Sequence, residues 1–373
     1  MNADVVVIGA GIVGSAIAYG LTGRKFRVLV LDGGDRDFRA AAANVGLVWL
    51  QGKGMNMPAY QRWTRESIDL WHDFSAELTA ATGVDVQYER KGGLSYCLGE
   101  ARLEEWRATL QRLHDQLGGG EPDWEILDRN ALAKLLPKAQ PGPDVAGASF
   151  GRRDGHANPL RLLSGLHAGI LRKGGRVHGD SAVHSIRTDG SGGFTIEYGL
   201  ERVSAARVVI AAGLGSKELA SQVGLDIPIR PQRGQVLVTE RLEPFLPLPL
   251  HGIRQTREGT VLIGATHEEV GLDSSTTIAA TVELSASAIR CIPALSRATL
   301  VRQWAGLRIL TPDRHPIYAE SQSHPGAFVA VCHSGVTLAA VHAGPLADGV
   351  AAGRLPASLD AFHPRRFDVP KAA

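Results

Sequence analysis

The chain has 373 residues, of which 44% are hydrophobic and 21% charged, the proportions of an ordinary soluble globular protein long enough for two domains. A formal charge of +2, with Lys and Arg scattered rather than in runs, gives no argument for a nucleic-acid or membrane partner. No stretch approaches the length of a membrane span, and the N-terminus lacks the basic segment and unbroken apolar run of a signal peptide; Cys97, Cys291 and Cys332 have no CxxC spacing, which argues against metal and disulfide roles, and a reducing cytoplasm is expected.

The first element is the most informative. Residues 4–14 read DVVVIGAGIVG, in which Val5, Val6, Val7 and Ile8 form a β-branched run suited to a parallel strand buried on both faces. Gly9 permits a tight turn, Gly11 lets backbone approach a pyrophosphate, and Gly14 lets the next helix pack closely on the sheet. That helix, through Ser15, Ala16, Ile17, Ala18 and Leu21, points free N–H groups and its positive dipole end at phosphates. A second strand, Arg27–Leu31, ends at Asp32, 18 residues beyond Gly14. A carboxylate at that distance holds a ribose 2′-OH and repels a 2′-phosphate.

An alanine and glycine stretch, Ala40–Gly46, leads into GLVWLQGKG. Tyr60–Thr82 has the apolar spacing of a helix through Trp63, Ile68, Leu70, Trp71, Phe74 and Leu78. A second helix, Glu100–Leu117, carries Leu103, Trp106, Leu110 and Leu113 and stops at three glycines. DRNALAKLLP starts at an N-cap, Asp128 or Asn130, and stops before Pro137. The loop 154–160 enters a helix through Leu171, followed by a strand Arg176–His178. Strands are expected at Phe194–Tyr198, Arg202–Ala205 and, fully buried, Arg207–Ala211. Gln235–Thr239 and Thr260–Ile263 alternate like half-exposed strands, and Ser275–Ile292 is helical. The chain closes with Phe328–Val350, a second strand, glycine turn and helix, the helix expected to begin near Thr337. This order predicts an α/β fold, a Rossmann-like parallel sheet with a separate, largely antiparallel α+β substrate domain. The expected division is 1–85 with 145–220 and 320–373 for the nucleotide domain, and 86–144 with 221–319 for the substrate domain.

Two features move the reading from nicotinamide towards flavin. Residues 207–216, RVVIAAGLGS, form another buried strand ending in small residues where backbone approaches a ligand. The helix N-terminus returning near Thr337 suits the second anionic target of FAD, the N1/C2=O edge of the reduced ring.

At these residues the sequence resembles the D-amino-acid oxidase and glycine oxidase family of FAD-dependent oxidoreductases, nearly end to end. Beside the N-terminal fingerprint, the resemblance rests on AANVGLV (42–48), DGHANPLRL (154–162), VVIAAG (208–213) and RPQRGQV (230–236). It continues through WAGLRILTPDRHPI (304–317), CHSGVTLA (332–339) and HPRRF (363–367). The resemblance implies FAD held by Gly9, Gly11 and Gly14 at the pyrophosphate and Asp32 at the adenosine ribose. Ala43, Asn44, Val45 and Gly46 would pass along the flavin, Val183 would meet adenine through its backbone, and Ala211, Ala212 and Gly213 would close over the nucleotide. Gly306, Arg308, Gly335, Val336 and Thr337 would surround the isoalloxazine ring; Ile12, Val13, Gly33, Ala42 and Val48 complete the cofactor set. Asn44 has an alternative use as a turn residue, and Val183 as sheet core.

Amine oxidation by flavin needs a substrate Cα–H over N5, a neutral amine and an anchor that fixes orientation, after which hydride transfer gives an imine. Arginine supplies that anchor most directly, because its planar fork binds a carboxylate through two parallel hydrogen bonds. Arg308, in GLR, is the expected fork, and the resemblance points to the same position; the alternative is a structural ion pair with Asp313. Relatives of the glycine oxidase type tend to carry a second arginine after the histidine of the C-terminal motif, where this chain reads HSGVT. Lys53 and Arg254 are the candidates for a second carboxylate contact, with a solvated loop and a solvent-facing strand position as their alternatives. His333 is expected beside the flavin, tuning it or contacting substrate, with a satisfied structural histidine as its alternative. Leu262 stands where sarcosine oxidase-like relatives place an oxygen-activating lysine.

More narrowly, residues 44–67, NVGLVWLQGKGMNMPAYQRWTRES, are similar to β subunits of heteromeric opine or D-hydroxyproline dehydrogenases, related to hydrogen cyanide synthase. That resemblance implies partner subunits carrying a further flavin or an iron–sulfur centre. The leading expectation is an FAD-dependent dehydrogenase of a secondary or N-substituted amino acid. Its alternatives are a stand-alone oxidase releasing hydrogen peroxide and a non-catalytic flavin relay.

Overall fold

The N-terminal β-branched run forms the strand Asn2–Ile8, in which Val5, Val6 and Val7 are completely buried. Both of its edges are paired in parallel, to Val28–Leu31 on one side and Glu201–Ile210 on the other, which is why the run needs no polar face. The computed structural model describes residues 2–34, 40–190 and 192–368. Beyond these three strands the sheet continues through Arg176–His178 at one edge and through Ala327–Val331 and Ile317–Glu320 at the other. Phe194–Tyr198 and Val183–Thr188 extend it as antiparallel strands off Glu201–Ile210.

The separate strands expected at 202–205 and 207–211 are one strand, Glu201–Ile210. Its first half, to Ala205, pairs with Phe194–Tyr198 and its remainder, from Ser204 to Ile210, with Asn2–Ile8; the two pairings overlap, so nothing interrupts it at Ala206. Helices Ile12–Gly23, Pro58–Thr82 and Pro159–Arg172 pack with the C-terminal residues 338–350 as one large core on one face of this sheet. Asp128 rather than Asn130 caps the helix Arg129–Leu135, accepting from Ala131 N–H at 2.7 Å. The helix after Ser275 begins later than expected, at Ile278, because Thr277 caps it.

A second sheet is antiparallel throughout, in the order Ile253–Gln255, Thr260–Gly264, Arg230–Arg241, Leu300–Leu310. A three-stranded sheet of Gly93–Leu98, Val145–Gly151 and Trp124–Asp128 joins it through the bridge Leu94–Leu250. This places Val145–Gly151 with the antiparallel layer, not with the nucleotide sheet where 145–220 is expected. Conversely, Leu225, Ile227 and Ile229, expected in the substrate part, pack in the core on the other face of the parallel sheet. The half-exposed pattern expected for Gln235–Thr239 and Thr260–Ile263 is also corrected: residues 232–239 are buried without a break. Leu284 and Ala288 of the helix Ile278–Cys291 pack with Leu237 and Ile263 on one face, while Val45 and Trp304 pack against Val236, Val238 and Leu262 on the other. Among the described residues no helix is long and apolar enough to cross a membrane.

Candidate active site

A cavity of about 960 Å³ runs from the C-terminal ends of the parallel strands to the antiparallel sheet. One end is lined by Gly9, Gly11, Ile12, Val13, Asp32, Gly33, Val183 and Ala211 to Gly213. The three fingerprint glycines divide by what a side chain would meet. At Gly9, with φ +108°, a Cβ would lie 2.4 Å from Ala211 O, and at Gly14 it would lie 2.0 Å from Gly9 O. Both are demanded by protein packing, and Gly14 accordingly lies outside the cavity wall. At Gly11 nothing is nearer than Ala41 Cβ at 3.9 Å, so the absent side chain leaves open room at the start of the helix Ile12–Gly23. That helix has no side-chain cap and no acidic residue in its first turn. Its N-terminal N–H groups are therefore available to an anion in the cavity. The Asp32 carboxylate accepts from Ala10 N–H at 2.7 Å and Gly34 N–H at 3.0 Å, which holds it at the cavity wall. This cradle fits a dinucleotide pyrophosphate and ribose.

The middle of the wall is the loop 40–48 and the segment after Ala327–Val331. Asn44 has the turn role considered for it and also faces the cavity. It lines the cavity, and its side chain staples the loop, donating to Ala40 O and Ala41 O and accepting from Gly46 N–H. Val45, Gly46, Gly335, Val336 and Thr337 line the cavity, whereas Ala42, Ala43 and Val48 do not. Ala43 instead offers its carbonyl to Trp304 Nε1–H at 3.2 Å, and Val48 is fully buried core. The helix expected to begin near Thr337 starts at Ala339, after a tight turn closed by Leu338 N–H on Ser334 O. Thr337 ties down the neighbouring strand rather than capping a helix: its hydroxyl donates to Leu47 O and accepts from Trp49 N–H, each at 3.2 Å.

At the far end the antiparallel sheet presents one face to Val45. Directly paired residues share a face, so Arg254, opposite Leu262, and the row Trp304, Gly306, Arg308 lie on it. Gly306 is opposite Gly234, and a Cβ on Gly234 would meet the Arg308 guanidinium at 2.5 Å. The bare glycine pair is what lets Arg308 lie flat on the sheet, with Nη1 donating to Arg233 O at 3.1 Å. The ion pair with Asp313 does not form, because Asp313 is taken by Arg366 at 2.8 Å. Among the described residues no carboxylate lies within ion-pairing distance of Arg308, and burial pushes its pKa down. Gly306 and Arg308 stand just behind the wall, with Leu307 and Ile309 lining it.

His333 opens its ring into the cavity. Desolvation, aided by the charges of Lys53 and Arg308, pushes it down to about 3, so the imidazole is neutral near pH 7. Lys53 lines the same end and donates from Nζ to Ser334 Oγ at 2.6 Å. Arg254 is not brought to the cavity. It is 2% exposed, lies behind Gly46 with Nη1 3.4 Å from His156 Nδ1, and has a buried Nε without a partner among the described residues; desolvation lowers it to about 10.

Sequence reasoning missed much of the wall here: Trp49, Gln51, Trp106, His251 and Ser334. Trp106 fits the apolar stripe of its helix, which hides that its Nε1 donates to Ser149 Oγ at 2.7 Å and that its ring edges the cavity. Gln51 donates to Asp154 Oδ2 at 2.5 Å; Asp154 is fully buried, and desolvation raises it to about 7. Cys332 is buried too and pushed up to about 12, which leaves an inert thiol.

The model of one protein family, described as FAD dependent oxidoreductase, matches residues 4–348. The chain belongs to this family. Its cofactor is FAD, and it is an FAD-dependent oxidoreductase, as the motifs implied. It is 38% identical over 369 residues to a subunit of the opine oxidase of Rhizobium meliloti, and 40% identical over 370 residues to the corresponding opine oxidase subunit of Agrobacterium tumefaciens strain Ach5. Each alignment covers 99% of both chains. The solved structure of glycine oxidase from Geobacillus kaustophilus matches with a TM-score of 0.87 at 25% identity, over 100% of this chain and 99% of that one. The mixed parallel and antiparallel α/β fold is thereby that of the family.

Proposed function

We propose that this flavoprotein oxidises the C–N bond of a secondary or N-substituted amino acid to an imine, as the catalytic β subunit of a multi-subunit cytoplasmic dehydrogenase. The observation that carries the reading is Arg308, a half-buried guanidinium without a carboxylate partner among the described residues, set on a glycine pair beside the cavity. Such a fork has an unmet demand for a planar anion, and a substrate carboxylate meets it. Gly11, Ile12 and Val13 would hold the pyrophosphate, Asp32 the ribose, and Val45, Gly46, Val336 and Thr337 the ring. FAD, when bound, supplies the hydride acceptor.

The chain's own contribution is orientation and charge. Arg308 fixes the carboxylate and hence the adjoining Cα. The cations Lys53 and Arg308, with a neutral His333 between their influences, disfavour a protonated amine and so keep the substrate nitrogen's lone pair free. Trp49, Trp106 and Cys332 exclude water from that end. Membership in a complex is supported by the two relatives named as subunits of an opine oxidase, with the electrons passing to a further flavin or iron–sulfur centre on a partner. Leu262, in apolar contact around Val45, offers no cation for activating oxygen.

Anaerobic addition of opines, cyclic imino acids and N-alkyl amino acids to the FAD-loaded protein, alone and with its partner subunits, tests the reading. Bleaching of the flavin absorbance by one of these classes, lost in Arg308→Ala with FAD still bound, is expected. No bleaching by any of them overturns it; peroxide release at full turnover by the isolated chain replaces the dehydrogenase with an oxidase, and unchanged turnover in Arg308→Ala leaves only a relay.

A further inference from the structure

Arg254 stands apart from the cations of the cavity. It lies in the strand Ile253–Gln255, opposite Leu262, and is buried. Desolvation brings it down only to about 10, so it keeps its charge near pH 7. A buried charge is destabilising unless a counter-charge and hydrogen bonds offset its lost hydration. Arg254 has little of either. Among the described residues no carboxylate lies within ion-pairing distance of it, and those of the neighbouring segments are engaged elsewhere: Glu258 by Gln87 at 2.7 Å and Arg161 at 3.8 Å, Asp85 by Arg257 at 2.6 Å, and Glu89 by Lys91 at 2.7 Å. A guanidinium has five N–H donors, and among the described residues one is in use: Nη1 reaches His156 Nδ1 at 3.4 Å, the long limit of a hydrogen bond, while Nε is buried without an acceptor. His156, pushed down to about 4 by burial and by Arg254 itself, is neutral near pH 7 and brings no counter-charge.

What Arg254 does have is a place against the cofactor loop. A Cβ on Gly46, which has φ +85°, would lie 3.4 Å from Arg254 Nη2, so the guanidinium rests directly behind that residue. It does not fasten the loop there, because Gly46 N–H donates to Asn44 Oδ1 and Gly46 O accepts from Ala157 N–H, each at 2.9 Å. Val45 packs against Leu262, the residue opposite Arg254. Val45 and Gly46 themselves line the cavity, and the function proposed above sets the flavin ring along them, a placement on which this step rests. One residue's thickness of chain separates an uncompensated cation from that wall. Reduction by a hydride adds one negative charge to the ring, and nearby charge tunes its electronics. In a site of low dielectric a fixed cation acts at such range without contact.

We propose that Arg254 acts on the flavin through this loop: its fixed positive charge stabilises the reduced ring and raises the reduction potential of the bound FAD. The uncompensated burial then serves the cofactor and not the fold.

The reduction potential of the FAD-loaded protein, measured against a reference dye with a chemical reductant, tests this in wild type, Arg254→Met and Arg254→Lys. Arg254→Met is expected to lower the ratio of reduced to oxidised flavin at a given potential by about tenfold, a fall of about 30 mV for the two-electron couple. Arg254→Lys, which keeps the charge, stays closer to wild type than to Arg254→Met. A change of less than twofold in Arg254→Met, or an equal fall in Arg254→Lys, overturns the inference. If Arg254→Met does not retain FAD, His156→Glu decides, because it leaves Arg254 in place and sets a carboxylate on it: a comparable fall in potential is expected, and no fall overturns the inference. Loss of FAD from both variants assigns Arg254 to supporting the loop and overturns it as well. No substrate enters the measurement, so its outcome is separate from that of the functional reading, whose own failure is the absence of bleaching by any secondary amine.

Discussion

The two ends of one cavity are made in opposite ways. The nucleotide end is built from backbone: glycines, helix N–H groups and one carboxylate fastened to the chain at Ala10 and Gly34. Its lining comes from the first 33 residues, from 182–184 and from the segment 211–222 that follows the strand Glu201–Ile210. The substrate end is built from side chains gathered across the sequence: Lys53, Trp106, His251, His333 and Ser334, with Arg308 behind. A site for an invariant cofactor rests on conformation, which few residue types permit. A site for a particular substrate rests on charge and shape, which many residues supply.

The largest effect expected is at the nucleotide end. Gly14→Val puts carbon into a space where even a Cβ lies 2.0 Å from Gly9 O, so the helix must move off the sheet. A stability loss of about 3 kcal/mol or more, with no FAD retained, is expected by urea unfolding. Arg308→Ala breaks the other end alone: roughly a thousandfold loss in flavin reduction by substrate, with FAD binding and stability near wild type. Equal damage to FAD binding by both variants would erase the contrast between the ends.

The contrast also explains what was legible. The strand Asn2–Ile8, the glycine fingerprint and Asp32 are contiguous and carry their own physics, so period and spacing expose them. Arg308 is singled out by its place in GLR and by the resemblance, and the local partner weighed for it, Asp313, is taken by Arg366. Lys53 reads equally as a carboxylate contact and as a loop lysine until its contact with Ser334, 281 positions away, is visible. Trp106 reads as core, and Arg254, a site candidate by its pattern, sits behind Gly46 because strand alternation gives its face and not its depth. The length of Arg230–Arg241 is hidden for a related reason: both faces are covered by elements remote in sequence, so alternation carries no signal.

A smaller effect separates Gly11 from its neighbours. Its Cβ would meet only Ala41 at 3.9 Å, so Gly11→Ala should fold with wild-type stability and yet bind FAD roughly tenfold or more weakly, measured by titrating the apoprotein. Loss of stability instead would show that Gly11, like Gly14, serves the protein's own packing.

The smallest effect lies at the substrate end and depends on pH. Burial raises the Asp154 carboxyl from 3.8 to about 7 against the hydrogen bonds from Leu50 N–H and Gln51 that favour its charged form. Because the folded value is the higher one, its contribution is fully present below about pH 4 and is lost as pH rises towards 7, where the unfolded chain ionises freely and the folded one does not. His156, depressed by burial to about 4, slopes the other way, gaining stability as pH rises to its ordinary 6.5. The difference between wild type and Asp154→Asn therefore isolates the carboxyl. Asparagine cannot titrate, and its amide meets the Gln51 amide donor to donor, so the variant should be less stable at low pH. Its deficit should shrink by up to roughly 4 kcal/mol between pH 4 and pH 7 as wild type loses what it gained. A deficit constant across that range in urea unfolding would mean that Asp154 is already ionised under Gln51, and that the wall beneath Lys53 carries a compensating negative charge after all.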